Sequence, residues 1–380
     1  MTGSGSPQGI RLSDRQRLNW LRLIRSENVG PVAFYDLISH FGSAADALLM
    51  VPELMRRGGS GKPARVASMD DAEREMELAH KAGAHFVGMG EPDYPPILRQ
   101  CDNPPPLVAV KGDTDIFTAP PVAIVGARNA SVTGMRFAQK IARELGESGH
   151  AIISGLARGI DAAAHKSSVH TGTVAVLAGG LDRPYPPENM DLYHSIPDHG
   201  GALISEMPFG WEPRAHDFPR RNRIVAGLSL GLVVIEAAEK SGSLISARLA
   251  GEMGRLVFAV PGSPLDPRAA GTNSLLKNGA ILVTETDDIS SAIAPLVSIP
   301  PATSGQFRAP NTSASAITPP NEHDRNALTD LLGPVPTHVD EIIVQSGLHA
   351  SQVMLLLLEL DLAGRLERHS GGAISLLPDV

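Results

Sequence analysis

The chain has 380 residues, which at about 150 residues per domain predicts two or three domains with full-sized hydrophobic cores. Apolar residues make up 42% and charged residues 19%, as in ordinary globular proteins, and the single cysteine, Cys101, excludes an intrachain disulfide. The formal net charge of −8 excludes a protein coated in phosphate-binding charge, so any nucleic-acid site has to be local.

The N-terminal part predicts a short tail and a small helical module. Residues 1–10, rich in glycine and serine, predict a disordered tail that has neither the charge cluster nor the apolar run of a signal peptide. No later stretch reaches about 18 uninterrupted apolar residues, so we expect a cytoplasmic protein that does not contact a membrane. Residues 11–60 show three helical runs, the third opening at Ser43, which predict a small helical module of the helix-hairpin-helix kind.

The centre of the chain, residues 66–296, predicts an α/β domain. One acidic helix and two short strands come first, and seven continuous apolar runs follow, mostly separated by helical patterns. Apolar strands that alternate with helices indicate a parallel sheet covered on both faces. We therefore predict an extended Rossmann-like, doubly wound sheet, whose ligand would bind beyond the carboxyl ends of the strands.

The C-terminal part predicts a linker and a second small domain. Residues 297–320 hold five prolines and one charged residue, Arg308, which is typical of a disordered linker. Residues 321–380 show three helical runs and then two short strands, the pattern of a winged helix. Because this domain has three arginines against nine carboxylates, we expect it to contact protein or to regulate rather than to bind DNA.

The loop after the first central strand favours a single phosphate over a dinucleotide. It begins at Gly126 but lacks the second and third glycines of the G-x-G-x-x-G fingerprint. Arg128 stands where a backbone would approach a pyrophosphate, so we expect its guanidinium and the first amides of the next helix to hold one phosphate. An ordinary surface arginine is the alternative.

The next two loops offer glycines, an acid–base pair and an aromatic ring. Gly155 and Gly159 would let a ligand approach the backbone closely. Asp161 and His165 share one helix face, but no nucleophile completes a triad, so we interpret Asp161 as a capping residue and His165 as a packed one. Tyr185 lies between two prolines, where packing is favoured over stacking on a base.

Two later segments add positive charge at helix starts. The helix dipole disfavours cations at a helix N-terminus, so the cluster after Phe218 predicts a bound anion, with a solvated charge run as the alternative. Its members are Arg220, Arg221, Asn222 and Arg223. A Gly-Ser turn before another helix predicts a second anion-binding loop, which consists of Lys240, Ser241, Gly242 and Ser243.

The sequence offers neither a metal site nor the residues of a hydrolase. The 13 histidines include no H-x-x-x-H pair with a third ligand, and no phosphate-binding loop for ATP is present. We therefore expect a protein without a bound metal or cofactor and without ATP hydrolysis. The alternative is nucleotide binding or hydrolysis of the phosphoribohydrolase kind. Those enzymes resemble this fold, but the turns at Pro261-Gly262 and Gly271-Thr272 lack their adjacent glutamate.

An ordered series of motifs across roughly residues 90 to 287 resembles one known family, the DNA-processing protein A (DprA, or Smf) family. Such a series is more specific than any single motif. The motifs are VGARNAS, ISGLARGIDAAAH, LAGGLDRPYPPEN, LISEMP, FPRRNRIVAGLS, VVIEAAEKSGSLISARLAGEMGR, VFAVPG and NSLLKNGA.

The resemblance implies a bacterial cytoplasmic protein that binds single-stranded DNA and forms a homodimer through its Rossmann core. It implies protection of incoming strands and loading of the RecA recombinase in natural transformation, by binding without enzymatic turnover. The helical module resembles a sterile-alpha-motif-like domain of some members, and the winged helix is likewise an optional addition. The strand would lie in a basic pocket, and we expect Arg128→Ala and Arg221→Ala to weaken binding without unfolding. The residues implied are Gly126, Arg128, Gly155, Gly159, Arg220 to Arg223 and Lys240 to Ser243.

Overall fold

The computed structural model describes residues 11–61, 63–297 and 320–377. The predicted tail, residues 1–10, lies outside the described residues, and so does the predicted linker, residues 297–320, apart from its two end residues. The described chain divides into two compact units. One holds residues 74–297, and the other holds residues 12–73 together with residues 320–377.

Helices and strands are numbered along the chain. The strands are β1 Ala84–Gly88, β2 Leu107–Gly112, β3 Pro121–Val125, β4 Ala151–Ser154, β5 Thr173–Val176, β6 Ala202–Ser205, β7 Gly231–Val234, β8 Leu256–Ala259, β9 Ile281–Leu282, β10 Thr337–His338, β11 Leu366–Arg368 and β12 Ala373–Leu376. The α-helices are α1 Asp14–Arg25, α2 Pro31–Phe41, α3 Ala44–Arg57, α4 Met69–Lys81, α5 Pro96–Arg99, α6 Val132–Glu147, α7 Ile160–Ser168, α8 Met190–Asp198, α9 Asp217–Gly227, α10 Gly242–Glu252, α11 Ala270–Lys277, α12 Thr286–Val297, α13 Glu322–Leu331, α14 Val339–Ser346 and α15 Ala350–Leu362.

The first unit is built on a sheet with nine strands among the described residues, in the order β1-β2-β6-β5-β4-β3-β7-β8-β9. The seven apolar runs of the sequence form β3 to β9, which pair in parallel. The two earlier strands, β1 and β2, extend the sheet in antiparallel fashion. The predicted Rossmann-like, doubly wound fold is confirmed.

Helices cover both faces of this sheet. Val122 and Ile124 of β3 pack among apolar residues of α6, whereas Ala123 and Val125 lie in the core that α9 and α10 cover. All five residues of β3 are buried, as expected for a sheet between two helical layers. The chain leaves β3 toward β4 on one side and returns as β7 on the other, so the crevice between β3 and β7 is the topological switch point.

The second unit joins the helical module to the winged helix, and both predicted modules are confirmed. Ser43 caps α3 as expected, because its side chain accepts a hydrogen bond from the Asp46 amide. The winged helix consists of α13 to α15 and a three-stranded sheet in the order β10-β12-β11. Its strand β10 was not predicted, since two residues carry no periodicity.

Among the described residues no single helix is long and apolar enough to cross a membrane, although α14 and α15 together reach that length and composition across a bend of 118°.

Candidate nucleic-acid interface

A shallow pocket lies beyond the carboxyl ends of β4 and β5, at the carboxyl edge of the sheet but beside the switch point between β3 and β7. Three loops and the start of α9 contribute to it. They bring together exposed guanidinium groups and aromatic rings, and the backbone of the loop after β4 forms part of the wall. The lining residues are Arg128, Gly155, Ala157, Arg158, Tyr185, Pro186, Phe218 and Arg221.

Two aromatic rings and a guanidinium group pack against one another at the entrance of this pocket. The guanidinium carbon of Arg128 lies 4.9 Å from the centre of the Phe218 ring, a cation–π distance. Tyr185 meets Phe218 edge-on, with ring centres 5.7 Å apart. Packing was expected for Tyr185, and the ring does pack, but 46% of the residue stays exposed. The pocket therefore offers a partly open aromatic surface beside a positive charge.

Arg221 forms the floor of the pocket and is 7% exposed. Its Nη1 donates to the carbonyl oxygens of Val176, at 2.8 Å, and of Gly155. It thereby ties the end of β5 to the loop after β4. Removal of this side chain would leave buried acceptors without a donor, so Arg221→Ala is expected to lower stability as well as DNA binding.

The three predicted glycines make room for protein atoms. A Cβ on Gly155 would lie 2.1 Å from Nη1 of Arg221. Gly159, at φ +75°, would press a Cβ to 2.2 Å from the carbonyl oxygen of Ala127, and a Cβ on Gly126 would meet Ile160 at 2.7 Å. Gly126 and Gly159 thus let the segments after β3 and β4 approach each other beside Arg128, whereas Gly155 leaves room for the Arg221 guanidinium.

Asp161 and His165 lie beneath the pocket and do not line it. The Asp161 carboxylate accepts hydrogen bonds from the Gly155 and Ala157 amides at 3.1 and 3.4 Å, and burial raises the pKa of this carboxyl group. Nδ1 of His165 lies 2.8 Å from the Thr173 hydroxyl, and burial lowers the pKa of this imidazole to about 3. The packed role predicted for His165 is confirmed. The capping role predicted for Asp161 is wrong, because Gly159 is the N-cap of α7 and Asp161 instead binds amides of the loop after β4.

The other two arginines of the α9 cluster share one carboxylate. Glu206, directly after β6, is 8% exposed and accepts from Nε of Arg220 at 2.8 Å and from Nη2 of Arg223. The anion expected at this helix start is thus supplied by the chain itself. The Arg220 side chain remains 47% exposed, against 24% for Arg223.

The residues from Lys240 to Ser243 follow β7 and do not line the pocket. Ser241 caps α10 by accepting from the Ser243 amide at 3.3 Å. Nδ2 of Asn222, a buried residue of α9, donates to the Gly242 carbonyl at 3.2 Å and connects this turn to the arginine cluster. Lys240 is exposed.

A carboxylate occupies the position where a phosphate was expected after β3. Glu236, just beyond β7, accepts from the Ser131 amide at 2.9 Å and from the Ser131 hydroxyl at 2.5 Å. The same hydroxyl accepts from the Gly134 amide at 2.9 Å and caps α6. The expectation that the first amides of α6 help Arg128 to hold a phosphate is therefore wrong for Ser131 and Gly134.

Four residues that the sequence reasoning missed shape this region: Arg158, Glu206, Phe218 and Glu236. Arg158 stands between the two glycines that were singled out, and Phe218 opens the arginine-rich segment, so proximity to those motifs was an available signal. Arg158 is exposed and pairs loosely with Glu188 at 3.5 Å, a contact of little energetic weight. The two glutamates had no signal, because a lone carboxylate after a strand is common.

Three family models match the chain. The model described as DNA recombination-mediator protein A matches residues 85–294, which include the whole pocket. A DprA-like N-terminal HHH domain matches residues 14–78, and a DprA winged helix domain matches residues 312–372.

One curated relative and two solved structures show what the chain is similar to. Protein Smf of Escherichia coli is 38% identical over 295 residues, 77% of each chain. The X-ray structure of DNA processing protein A from Streptococcus pneumoniae superimposes with a TM-score of 0.60 at 31% identity, covering 74% of this chain and 98% of that one. A Helicobacter pylori DNA processing protein A structure, whose subject is a single-stranded DNA binding mode, gives a TM-score of 0.51 at 28% identity, covering 56% and 96%.

Proposed function

This chain belongs to the DNA-processing protein A family, and on that premise we propose that it binds single-stranded DNA in the pocket formed by Arg128, Arg158, Tyr185 and Phe218. The observation that carries the proposal is the partly exposed Tyr185 ring beside two exposed guanidinium groups. A basic groove with an aromatic stacking surface is how proteins hold unpaired strands. In a duplex the bases are stacked on one another, so none is available to stack on the Tyr185 ring.

The charges around the pocket support contact with several phosphates. Arg128 and Arg158 would meet the strand at the pocket, and the exposed part of Arg220 would meet it near the start of α9. The predicted residues Lys240 to Ser243 then extend the surface, since Asn222 connects their turn to α9. We propose that Gly126, Gly155 and Gly159 contribute through the loop positions they allow.

The chemistry of the site supports binding without turnover. The acid–base pair Asp161 and His165 is buried beneath the pocket, and the Asp161 carboxylate is engaged by two backbone amides. Neither group lines the pocket. The crevice between β3 and β7, where a nucleotide-binding sheet would hold its phosphates, contains Glu236, which disfavours the alternative of a nucleotide-binding or phosphoribohydrolase-like protein.

We extend the proposal to a role in natural transformation, in which the protein protects an incoming strand and loads the RecA recombinase onto it. A homodimer through the Rossmann core and a cytoplasmic location complete the proposal. Family membership supports these statements.

Fluorescence anisotropy tests the proposed function. A labelled oligo-dT of about 30 nucleotides is titrated in several salt concentrations, beside a duplex of equal length. We expect tight, salt-sensitive binding of the single strand, with each phosphate contact adding about −0.7 to the log–log slope. Arg128→Ala should weaken binding several-fold and make the slope shallower. Arg248→Ala is the matched control, because Arg248 is exposed and pairs with Glu252 on α10. Equal affinity for duplex, or equal losses in both variants, would contradict the proposal.

A further inference from the structure

Helix α15, the third helix of the winged helix, is buried on two sides within the second unit. Leu356 and Leu360 pack into the core of the winged helix. Leu358 and Leu362 pack into the core of the helical module, beside residues of α2 and α3. All four leucines are at most 5% exposed. One helix thus completes two hydrophobic cores that come from opposite ends of the sequence.

Two buried polar groups of α15, the Glu359 carboxylate and the Leu362 carbonyl, have hydrogen-bond partners at this junction. Glu359, 1% exposed, accepts from Arg325 of α13 at 2.8 and 2.9 Å and lies 4.0 Å from Arg57 of α3. Nδ2 of Asn28, between α1 and α2, donates to the Leu362 carbonyl at 2.9 Å. An unpaired buried charge or carbonyl is costly, so such matching indicates a permanent contact.

The two modules also approach closely through their backbones. Gly58 directly follows α3, and a Cβ built there would lie 2.0 Å from the carbonyl oxygen of Glu359 and 2.8 Å from Cβ of Ala363. Nη1 of Arg365 donates to the Gly58 carbonyl at 3.2 Å. At φ −70° and ψ −2° the Gly58 backbone itself tolerates any residue. A glycine is required at position 58 because the backbone of α15 lies so close, and not because of the φ and ψ angles of Gly58.

A winged helix that reads duplex DNA inserts its third helix into the major groove. Here the second half of that helix is covered, and the three arginines of the domain are engaged with protein atoms: Arg325 with Glu359, Arg365 with Gly58 and Arg368 with Asp361. We propose that the helical module of the same chain is the partner of α15, and that the winged helix serves to complete that module rather than to read duplex DNA.

Hydrogen–deuterium exchange on the full chain tests this proposal. Gly58→Ala places a methyl group in the junction, and the Gly58 backbone, at φ −70° and ψ −2°, accepts alanine without strain. We expect amides of α3 and α15 to exchange at least tenfold faster in the variant, while those of β3 in the first unit stay unchanged. Gly61→Ala is the control, since a Cβ there meets nothing within 4 Å. Unchanged exchange in α15 of Gly58→Ala would overturn the proposal.

A milder variant and a DNA measurement complete the test. Asn28→Gly keeps the backbone, which is at φ +59°, and removes the bond to Leu362, so exchange in α15 should again rise. If Gly58→Ala proves too unstable to purify, this variant decides. Both variants are then titrated with a duplex of about 30 base pairs. We expect no gain in affinity. A tenfold gain would mean that the module covers a helix able to read DNA, which would also overturn the proposal. Single-strand binding by the first unit is a separate readout, so its failure would count against the proposed function alone.

Discussion

The carboxylate of Glu236 accepts hydrogen bonds from both the amide and the hydroxyl of Ser131, at 2.9 and 2.5 Å. This contact joins the loop after β3 to the end of β7 across the topological switch point. An anion at a helix N-terminus is stabilised by the helix dipole, and here that anion is part of the chain. The Glu236 carboxylate therefore occupies the position at which related folds bind a nucleotide phosphate.

Mononucleotides should consequently bind poorly. We expect calorimetric titration with AMP or ATP at millimolar concentration to show no saturable binding, because a phosphate at α6 would have to displace Glu236. Oligo-dT should bind to the same preparation. Saturable AMP binding that competes with oligo-dT would contradict this expectation and restore the nucleotide alternative.

Arg221→Ala should destabilise the protein rather than only its DNA complex. The substitution leaves the Gly155 and Val176 carbonyls without their donor and the buried Asp161 without its nearby cation. Leaving a buried acceptor without its donor typically costs about 1–3 kcal/mol. Urea unfolding measures the loss, and Arg158→Ala is the control, because Arg158 and its partner Glu188 are both exposed and the substitution should cost less than about 1 kcal/mol. Similar midpoints for both variants would show that the Arg221 contacts carry little energy.

Tyr185→Ala should weaken single-strand binding by about tenfold, while Tyr185→Phe should bind as the unaltered protein does. A base stacked on an aromatic ring contributes about 1–3 kcal/mol, and the phenylalanine keeps the ring. Anisotropy with oligo-dT measures both variants. A strand of abasic sites provides the second control, because without bases it should not distinguish alanine from tyrosine. A loss with Tyr185→Phe would assign the effect to the hydroxyl instead.

Glu206→Gln should strengthen single-strand binding a few-fold and steepen its dependence on salt. The variant keeps an acceptor for Arg220 and Arg223 but removes the charge that neutralises them. Additional uncompensated positive charge near the strand raises affinity mainly at low salt. Glu252→Gln, on the exposed surface of α10, is the matched control. Weaker binding in Glu206→Gln would show that the ion pair orients the arginines and that their charge matters less.

Stability should decrease as the pH falls below about 6.5, with His165 as one cause. Burial lowers the pKa of this imidazole from 6.5 to about 3, so the unfolded chain binds a proton in this range and the folded one does not. The free energy of unfolding should therefore fall by up to about 1.4 kcal/mol per pH unit from this group. His165→Gln should flatten the pH dependence of urea unfolding, whereas the exposed His194→Gln should leave it unchanged. Equal slopes in all three proteins would exclude His165 as a contributor.

Sequence patterns predicted the parallel sheet because strands such as β3 are apolar throughout, and they located the loops that carry Arg128 and Arg221. They did not distinguish the exposed Arg128 from the buried Arg221, since the residue type gives the charge of each arginine but not its burial. That difference depends on which carbonyls lie within reach, and only the packing of the loops after β4 and β5 decides it. Glu206 and Glu236 were missed for the same reason: their partners are 14 or more residues away in sequence.

The shared core of the second unit also fixes an order of events in the cell. Helices α1 to α3 are made first, yet Leu358 and Leu362, which complete their core, are made about 300 residues later. At roughly 5–20 residues per second, translation of the intervening chain takes between about 15 and 60 seconds, and the helical module lacks its last helix for that time. During that time its apolar surface lies open while the whole Rossmann sheet emerges from the ribosome. If translation stops before α15, the released chain has an N-terminal module whose apolar surface stays uncovered. Chaperones and proteases can recognise that surface, so the N-terminal module reports the absence of the C-terminal part.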